Sequence, residues 1–178
     1  MNQLRQPQWP EFFSDSALID PALAYEQKRS MTLEAARNFL DYHRRRIRLE
    51  HESGSSGRQV VGSLTAMTDT LVRNLFRVVA SDLSADGTEQ CGLVALGGYG
   101  RGELNPLSDV DLMFLYSGKD KAFAEALSEK MLYLLWDLSL DVGYSVRTFE
   151  DCLDMADREI TARTALIDSR FLIGNEVL

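Results

Sequence analysis

Val94–Tyr116 reads V-A-L-G-G-Y-G-R-G-E-L-N-P-L-S-D-V-D-L-M-F-L-Y, and the rest of the chain is arranged around this segment. A short apolar run stops at Gly97 and Gly98, a loop with further glycines and an arginine follows, and a second apolar run carries two acids near its start. Short apolar runs bounded by turn residues are typical of buried strands. The segment therefore predicts a strand, a loop large enough to surround a phosphate, and a second strand with paired carboxylates.

The paired carboxylates belong to Asp109 and Asp111. Residues two apart in a strand point to the same face, so we expect these side chains to project together. Like charges held that closely destabilise each other unless a cation lies between them, and carboxylates combined with substrate phosphates are the usual ligands of Mg²⁺. We therefore predict that Asp109 and Asp111 are catalytic residues that bind magnesium. This arrangement favours nucleotidyl transfer, in which metal ions stabilise the attacking oxygen and the departing pyrophosphate.

The loop before the acids supplies candidate nucleotide-binding residues. Gly97 and Gly98 let backbone N–H groups approach a phosphate, although a double glycine can also form no more than a tight turn. No Gly-Lys-Ser/Thr follows, which excludes a Walker A motif. Arg101 is expected to bind phosphate oxygens, with an ion pair to Glu103 or to one of the acids as the alternative. Ser108 either donates to a phosphate, orients a carboxylate, or is a turn residue.

Composition indicates a globular protein of ordinary size. The 178 residues are 45% hydrophobic and 26% charged, which suits one folded unit. The net charge of −8 argues against a protein that binds nucleic acid mainly through phosphate attraction. No apolar run approaches the roughly 20 residues of a membrane span, and the amino terminus shows no secretory signal. We therefore expect neither nucleic acid nor membrane as a partner, and a cytoplasmic location.

Cysteine and histidine are too scarce for a zinc site. Cys91 and Cys152 are the only cysteines in the sequence, and they lie too far apart for a metal-ligand pattern, so both are expected to be buried thiols. His43 and His51 are the only histidines, and neither has a partner at ligand spacing.

Periodicity predicts an α+β fold in which an N-terminal helical hairpin precedes a small mixed sheet. Residues 1–21 are expected to form an irregular arm, and residues 52–57 a turn between two helices. A capping pair, Thr148 with Asp151, is expected to start a short helix. Helices are predicted at residues 22–51, 60–83, 121–138 and 159–171, and a short helix runs from the cap at Thr148 to about residue 157. Strands are predicted at residues 91–96, 110–116 and 142–148.

Four arginines crowd the end of the first predicted helix, namely Arg44, Arg45, Arg46 and Arg48. Cations are favoured at a helix carboxyl end. The cluster is interpreted as a solvated helix face, with a binding site as the alternative.

Several motifs together resemble a known family. The octet G-G-Y-G-R-G-E-L at residues 97–104, followed by S-D-V-D-L at 108–112, resembles the signature of the nucleotidyltransferase superfamily that includes DNA polymerase beta. Within it, the chain is most similar to the bacterial PII uridylyltransferases. The similarity continues in L-W-D-L at 135–138, D-V-G-Y-S-V-R-T at 141–148 and S-R-F-L-I-G at 169–174. It covers at least residues 54–174, and the motifs are specific in combination.

The resemblance implies magnesium-dependent transfer of uridylyl from UTP to a tyrosine of the PII nitrogen-regulatory protein. We expect an arm and helix at residues 1–57 and a nucleotidyltransferase domain with its preceding helix at residues 58–178, together one compact unit. Family members also carry an HD domain that removes the group and ACT domains that sense glutamine. A chain of 178 residues with two histidines is therefore expected to be an amino-terminal catalytic fragment.

The third acid found in many superfamily members is missing from residues 142–148. Asp141, at the entry of that strand, is the best candidate for a general base or metal ligand, with Asp137 and plain surface charge as alternatives. Two other functions remain open: a non-catalytic nucleotide-sensing or protein-docking module, and adenylyl transfer to glutamine synthetase.

Overall fold

The computed structural model describes residues 25–84 and 87–178, so the predicted N-terminal arm lies outside the described residues. The chain enters through two long helices, α1 (Tyr25–Glu52) and α2 (Gly57–Leu83). The turn between them ends in a capping box, in which the Gln59 N–H donates to Ser56 Oγ and the Ser56 N–H donates to Gln59 Oε1. This cap satisfies N–H groups that a helix start leaves without partners. The predicted helical hairpin is therefore confirmed.

A four-stranded mixed sheet follows, with the strand order β3-β2-β1-β4. β1 pairs antiparallel with both β2 and β4, whereas β2 and β3 are parallel. The end of β1 and the starts of β2, β3 and β4 therefore meet at one margin of the sheet. The strands are β1 (Cys91–Ala95), β2 (Val110–Tyr116), β3 (Val142–Arg147) and β4 (Arg170–Gly174).

The remaining helices connect the strands. A parallel pair needs a crossover, and α5 supplies it between β2 and β3. The predicted cap of α6 is confirmed, because the Asp151 N–H donates to Thr148 Oγ1 at 3.1 Å and the Thr148 N–H donates to Asp151 Oδ2 at 2.8 Å. These helices are α3 (Gly87–Gln90), α4 (Gly97–Gly100), α5 (Lys121–Asp137), α6 (Phe149–Arg158) and α7 (Ile160–Ile167).

The predicted last helix, residues 159–171, is wrong at its carboxyl end. α7 ends at Ile167, and Arg170–Gly174 forms β4 instead. All five residues of β1 are buried. β4 pairs with the side of β1 that does not contact β2, so β1 is not an open edge strand of the sheet. Strand pairing with a distant segment therefore overrides the local helical pattern. The loop after β1 also differs from the prediction, since it begins with the single helical turn α4.

The two faces of the sheet are covered differently. The main core includes residues of α1, α2 and α5 on one face, and Phe39, Leu71, Phe114 and Leu135 are fully buried there. A small cluster of Val94, Met113 and Cys152 lies on the other face. Both cysteines are buried, as predicted. Among the described residues, no helix has the length and apolar character that crossing a bilayer requires.

Candidate active site

The glycine turn between β1 and β2 lies directly against the second acid. Gly97 has a φ of +58°, a conformation that glycine adopts without steric cost. A Cβ atom added at Gly97 would lie only 3.0 Å from Asp111 Oδ2. At Gly98 an added Cβ would meet ordinary contacts, the nearest at 3.5 Å. The backbone thus needs glycine at position 97, where it makes room for a carboxylate.

The Asp111 carboxylate lies between two glycines. On its other side, the parallel register places Asp111 opposite Gly143 of β3, and a Cβ there would come within 2.4 Å of Asp111 Oδ1. Burial raises the pKa of Asp111, and the nearby Asp109 carboxylate raises it further. The structure therefore brings the two predicted acids together, Asp109 exposed and Asp111 half-buried.

The paired carboxylates fit a magnesium ion by donor chemistry and by charge. Hard oxygen ligands suit Mg²⁺, which commonly takes one or two carboxylates and completes its shell with phosphate oxygens and water. Burial and the Asp109 carboxylate raise the pKa of Asp111, and a cation bound between the two carboxylates would favour its ionised form. Within residues 25–84 and 87–178, no group of three or more His, Cys, Asp or Glu side chains is arranged to hold a metal.

Arg101 lies beside the glycine turn but is held in ion pairs. Its Nη1 donates to Asp168 Oδ2 at 2.6 Å and its Nε to Glu103 Oε2 at 3.3 Å, and the side chain is about half exposed. Its Nη2 would lie 3.7 Å from a Cβ added at Gly98. The sequence allowed the pair with Glu103, but Asp168 is distant in the chain and was not anticipated. The ion pairs hold Arg101 next to the predicted phosphate site.

Ser108 closes the turn that leads into β2. Its Oγ donates to the Asn105 carbonyl at 2.9 Å, and its N–H donates to the same oxygen at 3.2 Å. These are the contacts of a turn residue, one of the roles considered for Ser108. The side chain is exposed one residue before Asp109.

Asp141 lies at the same sheet margin, and within the part of the chain that the structure describes it joins no group of three acids. Its carbonyl accepts the Val110 N–H at 2.9 Å, so β3 begins beside the start of β2. The Asp141 side chain is exposed and lines a cavity together with Ser108. Asp137, the alternative third acid, forms an ion pair with Arg29 of α1. That contact joins α1 to the last residue of α5.

Two residues that sequence reasoning missed fix the glycine turn in place. Arg170, the first residue of β4, donates to the carbonyls of Tyr99 at 3.1 Å and Gly100 at 3.2 Å. Its guanidinium also forms a forked pair with Asp69 of α2, at 2.7 and 3.0 Å. The turn packs so closely on the segment before β4 that a Cβ at Gly100 would lie 2.2 Å from the Asp168 carbonyl oxygen. These partners are distant in sequence, and the arginine in S-R-F-L-I-G was the only available signal.

Comparison with known families gives a match over most of the chain. A family model described as glutamate-ammonia ligase adenylyltransferase matches residues 2–135. The matched segment contains the glycine turn and both acids, and it stops before Asp141.

Curated relatives carry a second, related description. The chain is 45% identical to the bifunctional uridylyltransferase/uridylyl-removing enzyme of Cereibacter sphaeroides over 125 residues, which is 68% of this chain and 13% of the relative. It is 37% identical to the protein of the same name from Azospirillum brasilense, over 84% of this chain and 16% of the relative. For Caulobacter vibrioides the values are 34% identity, 92% of this chain and 18% of the relative. The chain thus spans less than a fifth of the length of these relatives.

Proposed function

Since the chain belongs to the glutamate-ammonia ligase adenylyltransferase family of nucleotidyltransferases, we propose that it transfers uridylyl from UTP to a tyrosine hydroxyl of a PII-type signal protein and releases pyrophosphate. The observation that carries this proposal is the Asp109–Asp111 pair beside the Gly97 turn, at the margin where three strands begin. The choice of uridylyl as the transferred group is supported by the name of the curated relatives, bifunctional uridylyltransferase/uridylyl-removing enzyme. The choice of a PII protein as acceptor comes from the resemblance of the sequence motifs alone. The predicted cytoplasmic location is part of the same proposal.

Each residue of the site has a defined task in this reaction. Asp109 and Asp111 would hold Mg²⁺, which when bound neutralises phosphate charge and stabilises the developing charge on oxygen. The N–H groups at the start of α4 have no partner inside that helix and would donate to phosphate oxygens. Arg101, held beside Gly98, would donate to the same phosphates.

The acceptor side of the reaction rests on Asp141. An attacking tyrosine hydroxyl must lose its proton, and Asp141 is an exposed carboxylate at the start of β3, next to the start of β2. We assign it the role of general base. This step moves one proton from the tyrosine hydroxyl to the carboxylate while the phenolic oxygen bonds the α-phosphorus and the bond to pyrophosphate breaks.

Radiolabel transfer tests the proposal. The chain is incubated with Mg²⁺, a PII protein and UTP labelled at the α-phosphate. The Asp109→Asn/Asp111→Asn variant should lose roughly 1,000-fold or more in rate, because ligands to a metal that stabilises charge contribute several kcal/mol. The matched control is Asp154→Asn/Asp157→Asn, two exposed acids on α6 with side chains that are 74% and 89% exposed. Normal labelling by the site variant refutes the assignment.

Adenylyl transfer to glutamine synthetase is the second candidate, and the description of the matching family model favours it. It uses the same acids and the same turn, so the site geometry serves both reactions. Parallel assays with labelled ATP and glutamine synthetase decide between them. Binding of UTP with Mg²⁺ measured by calorimetry, without product in either assay, would instead indicate a nucleotide-sensing module.

A further inference from the structure

A cavity that reaches Ser108 and Asp141 at the margin of the sheet is lined by part of the basic cluster of α1. We call it the α1 cavity, a space of about 580 Å³ between the carboxyl end of α1, the first half of α2 and the loop at residues 104–108. Arg44, Arg48 and His51 line it from α1, and Ser108 and Asp141 line it from the margin of the sheet. The proposed general base therefore borders both this cavity and the candidate active site.

The four arginines of the cluster divide into separate roles. Arg46 pairs with Glu50 at 2.8 Å on the helix surface. Arg44 and Arg48 are four residues apart, so they share one face of α1, and both are exposed and line the cavity. Neither has an ion pair with any residue that the structure describes. In a chain with a net charge of −8, two guanidinium groups thus line a cavity without an ion pair to any carboxylate in residues 25–84 and 87–178.

The floor of the α1 cavity is apolar and its far wall is held in place. The space is lined by four apolar side chains that are each no more than 6% exposed, namely Ile47, Met67, Leu104 and Val110. The Leu104 N–H donates to the buried Thr65 Oγ1 of α2 at 3.1 Å, which fixes the loop. The cavity is therefore preformed, and it combines an aliphatic surface with two arginines that form no ion pair among the described residues.

The rim of the cavity carries an unusual leucine. Leu107 has a φ of +67°, a left-handed conformation uncommon for residues other than glycine, and its side chain is completely exposed. Backbone conformations that cost free energy concentrate at binding and catalytic sites, and this one presents an apolar side chain at the rim of the cavity. It lies two residues before Asp109.

We propose that the α1 cavity is the docking site for the acceptor protein, and that it binds an acidic segment of that protein bearing apolar side chains. Arg44 and Arg48 would pair with its carboxylates, the aliphatic floor and Leu107 would contact its apolar side chains, and the adjoining residue would reach Asp141 and Asp109. Charge complementarity selects an acidic protein segment over a phosphate, which would leave the apolar floor unused. This inference rests on the proposed function, since it assigns the acceptor of that reaction to a place on the chain.

The test separates docking from chemistry. Arg44→Glu/Arg48→Glu is compared with Arg45→Glu/Arg58→Glu, which reverses two exposed charges that do not line the cavity. Binding of a PII protein to each chain is measured by isothermal titration calorimetry, and UTP binding is measured in parallel. The cavity variant should bind the PII protein about 10-fold more weakly or worse, with unchanged UTP affinity and unfolding temperature, and the control should match wild type.

Each outcome has one meaning. Weaker acceptor binding confined to the cavity variant supports the docking site, and in the labelling assay it appears as a raised KM for the acceptor. Equal acceptor binding by both variants, or no binding of the PII protein by the wild-type chain, overturns the inference. Absence of labelling despite cavity-dependent binding counts against the proposed transfer instead.

Discussion

At the scale of single residues, Asp111 is the side chain of the site whose ionised form is least favourable in the folded chain. Its carboxylate is half-buried, faces a like charge on Asp109, and sits between backbone atoms of two glycines. A side chain whose pKa is raised in the folded state binds its proton more tightly there than in the unfolded chain. The ionised Asp111 therefore destabilises the fold at neutral pH, a cost that a bound cation removes.

Replacing Asp111 by asparagine should stabilise the chain at pH 7 while abolishing transfer. The gain should be about 0.5–2 kcal/mol, the range typical when an unfavourable charge is removed. Because the folded pKa lies above the unfolded one, the cost of the charge is fully present above the folded pKa. The gain should shrink as the pH falls and vanish below about 3.9, where the unfolded carboxyl is also protonated.

Urea unfolding at several pH values measures this difference directly. Asp154→Asn, at an exposed position on α6, serves as the control and should leave the pH dependence unchanged. A variant at Asp111 that is destabilised at neutral pH would contradict the prediction.

Gly143→Ala should damage activity far more than stability. The added Cβ would lie 2.4 Å from Asp111 Oδ1, and the short carboxylate can turn away, so the fold survives while the proposed metal ligand moves. Moving a catalytic group by about 1 Å lowers kcat/KM by about 100-fold. Gly62→Ala in α2 is the control, because a Cβ there meets nothing within 4 Å. It should raise stability by up to about 1 kcal/mol without changing kcat/KM.

At the scale of elements, β4 holds the glycine turn in position through its first residue, Arg170. Arg170 links β4 to α2 through Asp69 and to α4 through two carbonyl groups. Its guanidinium lies 5.4 Å from the centre of the buried Tyr99 ring. The position of the turn thus depends on the last strand of the sheet, far along the chain.

Arg170→Lys should separate charge from geometry. Lysine keeps the positive charge but lacks the planar fork, so it cannot serve Asp69 and both carbonyls at once. We expect a loss of about 2 kcal/mol in unfolding free energy and a raised KM for UTP. Thermal unfolding and labelling kinetics measure the two effects. The control is Arg158→Lys, which changes a side chain that is 79% exposed and should be neutral. An equal effect of both substitutions would refute the role of Arg170 in holding the glycine turn.

Strands and helices with local signals were predictable from the sequence. The apolar run of β2 is bounded by acids and turn residues, and its predicted limits, Val110–Tyr116, are confirmed. The sequence predicts no strand at β4, because the predicted last helix runs on to Phe171, and the pairing that makes residues 170–174 a strand is with the distant β1.

The candidate site was predictable only where it is local. The period of two predicts that Asp109 and Asp111 project together, and in the structure the Asp109 carboxylate raises the pKa of Asp111. The Gly143 contact, the Asp168 pair of Arg101 and the Asp69 partner of Arg170 all join distant segments. No pattern within one segment encodes such contacts, because they arise from the register of strands and the packing of helices. The roles of the site residues remain predictions for the experiments above.

At the scale of the whole molecule, one carboxylate joins the three long helices. Asp82 of α2 accepts from Lys28 of α1 at 3.1 Å and from Lys130 of α5 at 3.0 Å. Burial alone would raise the pKa of Asp82, but the hydrogen bonds and charges of the two lysines lower it overall. The helical layer behind the sheet is therefore stabilised by a charge that must stay ionised.

Asp82→Asn should destabilise the whole fold by about 2 kcal/mol at pH 7, as expected for lost hydrogen bonds between charged groups. Since the folded pKa is depressed, this stability is present above the unfolded pKa and is lost as the pH falls through the folded pKa. The difference from wild type should therefore diminish in acid. Urea unfolding at pH 7 and near pH 3 measures it, and a difference that is independent of pH would contradict the assignment.

The parallel pairing of β2 and β3 also sets an order of events during folding. β1 and β2 are joined by a single loop, whereas β3 can pair with β2 only after α5 has crossed over the sheet. Long-range parallel pairing forms slowly, because the chain entropy of the crossover is lost before the contacts form. We expect Gly143 to reach Asp111 late in folding. A newly made chain would therefore form the β1–β2 pair before the surroundings of the Asp111 carboxylate are complete.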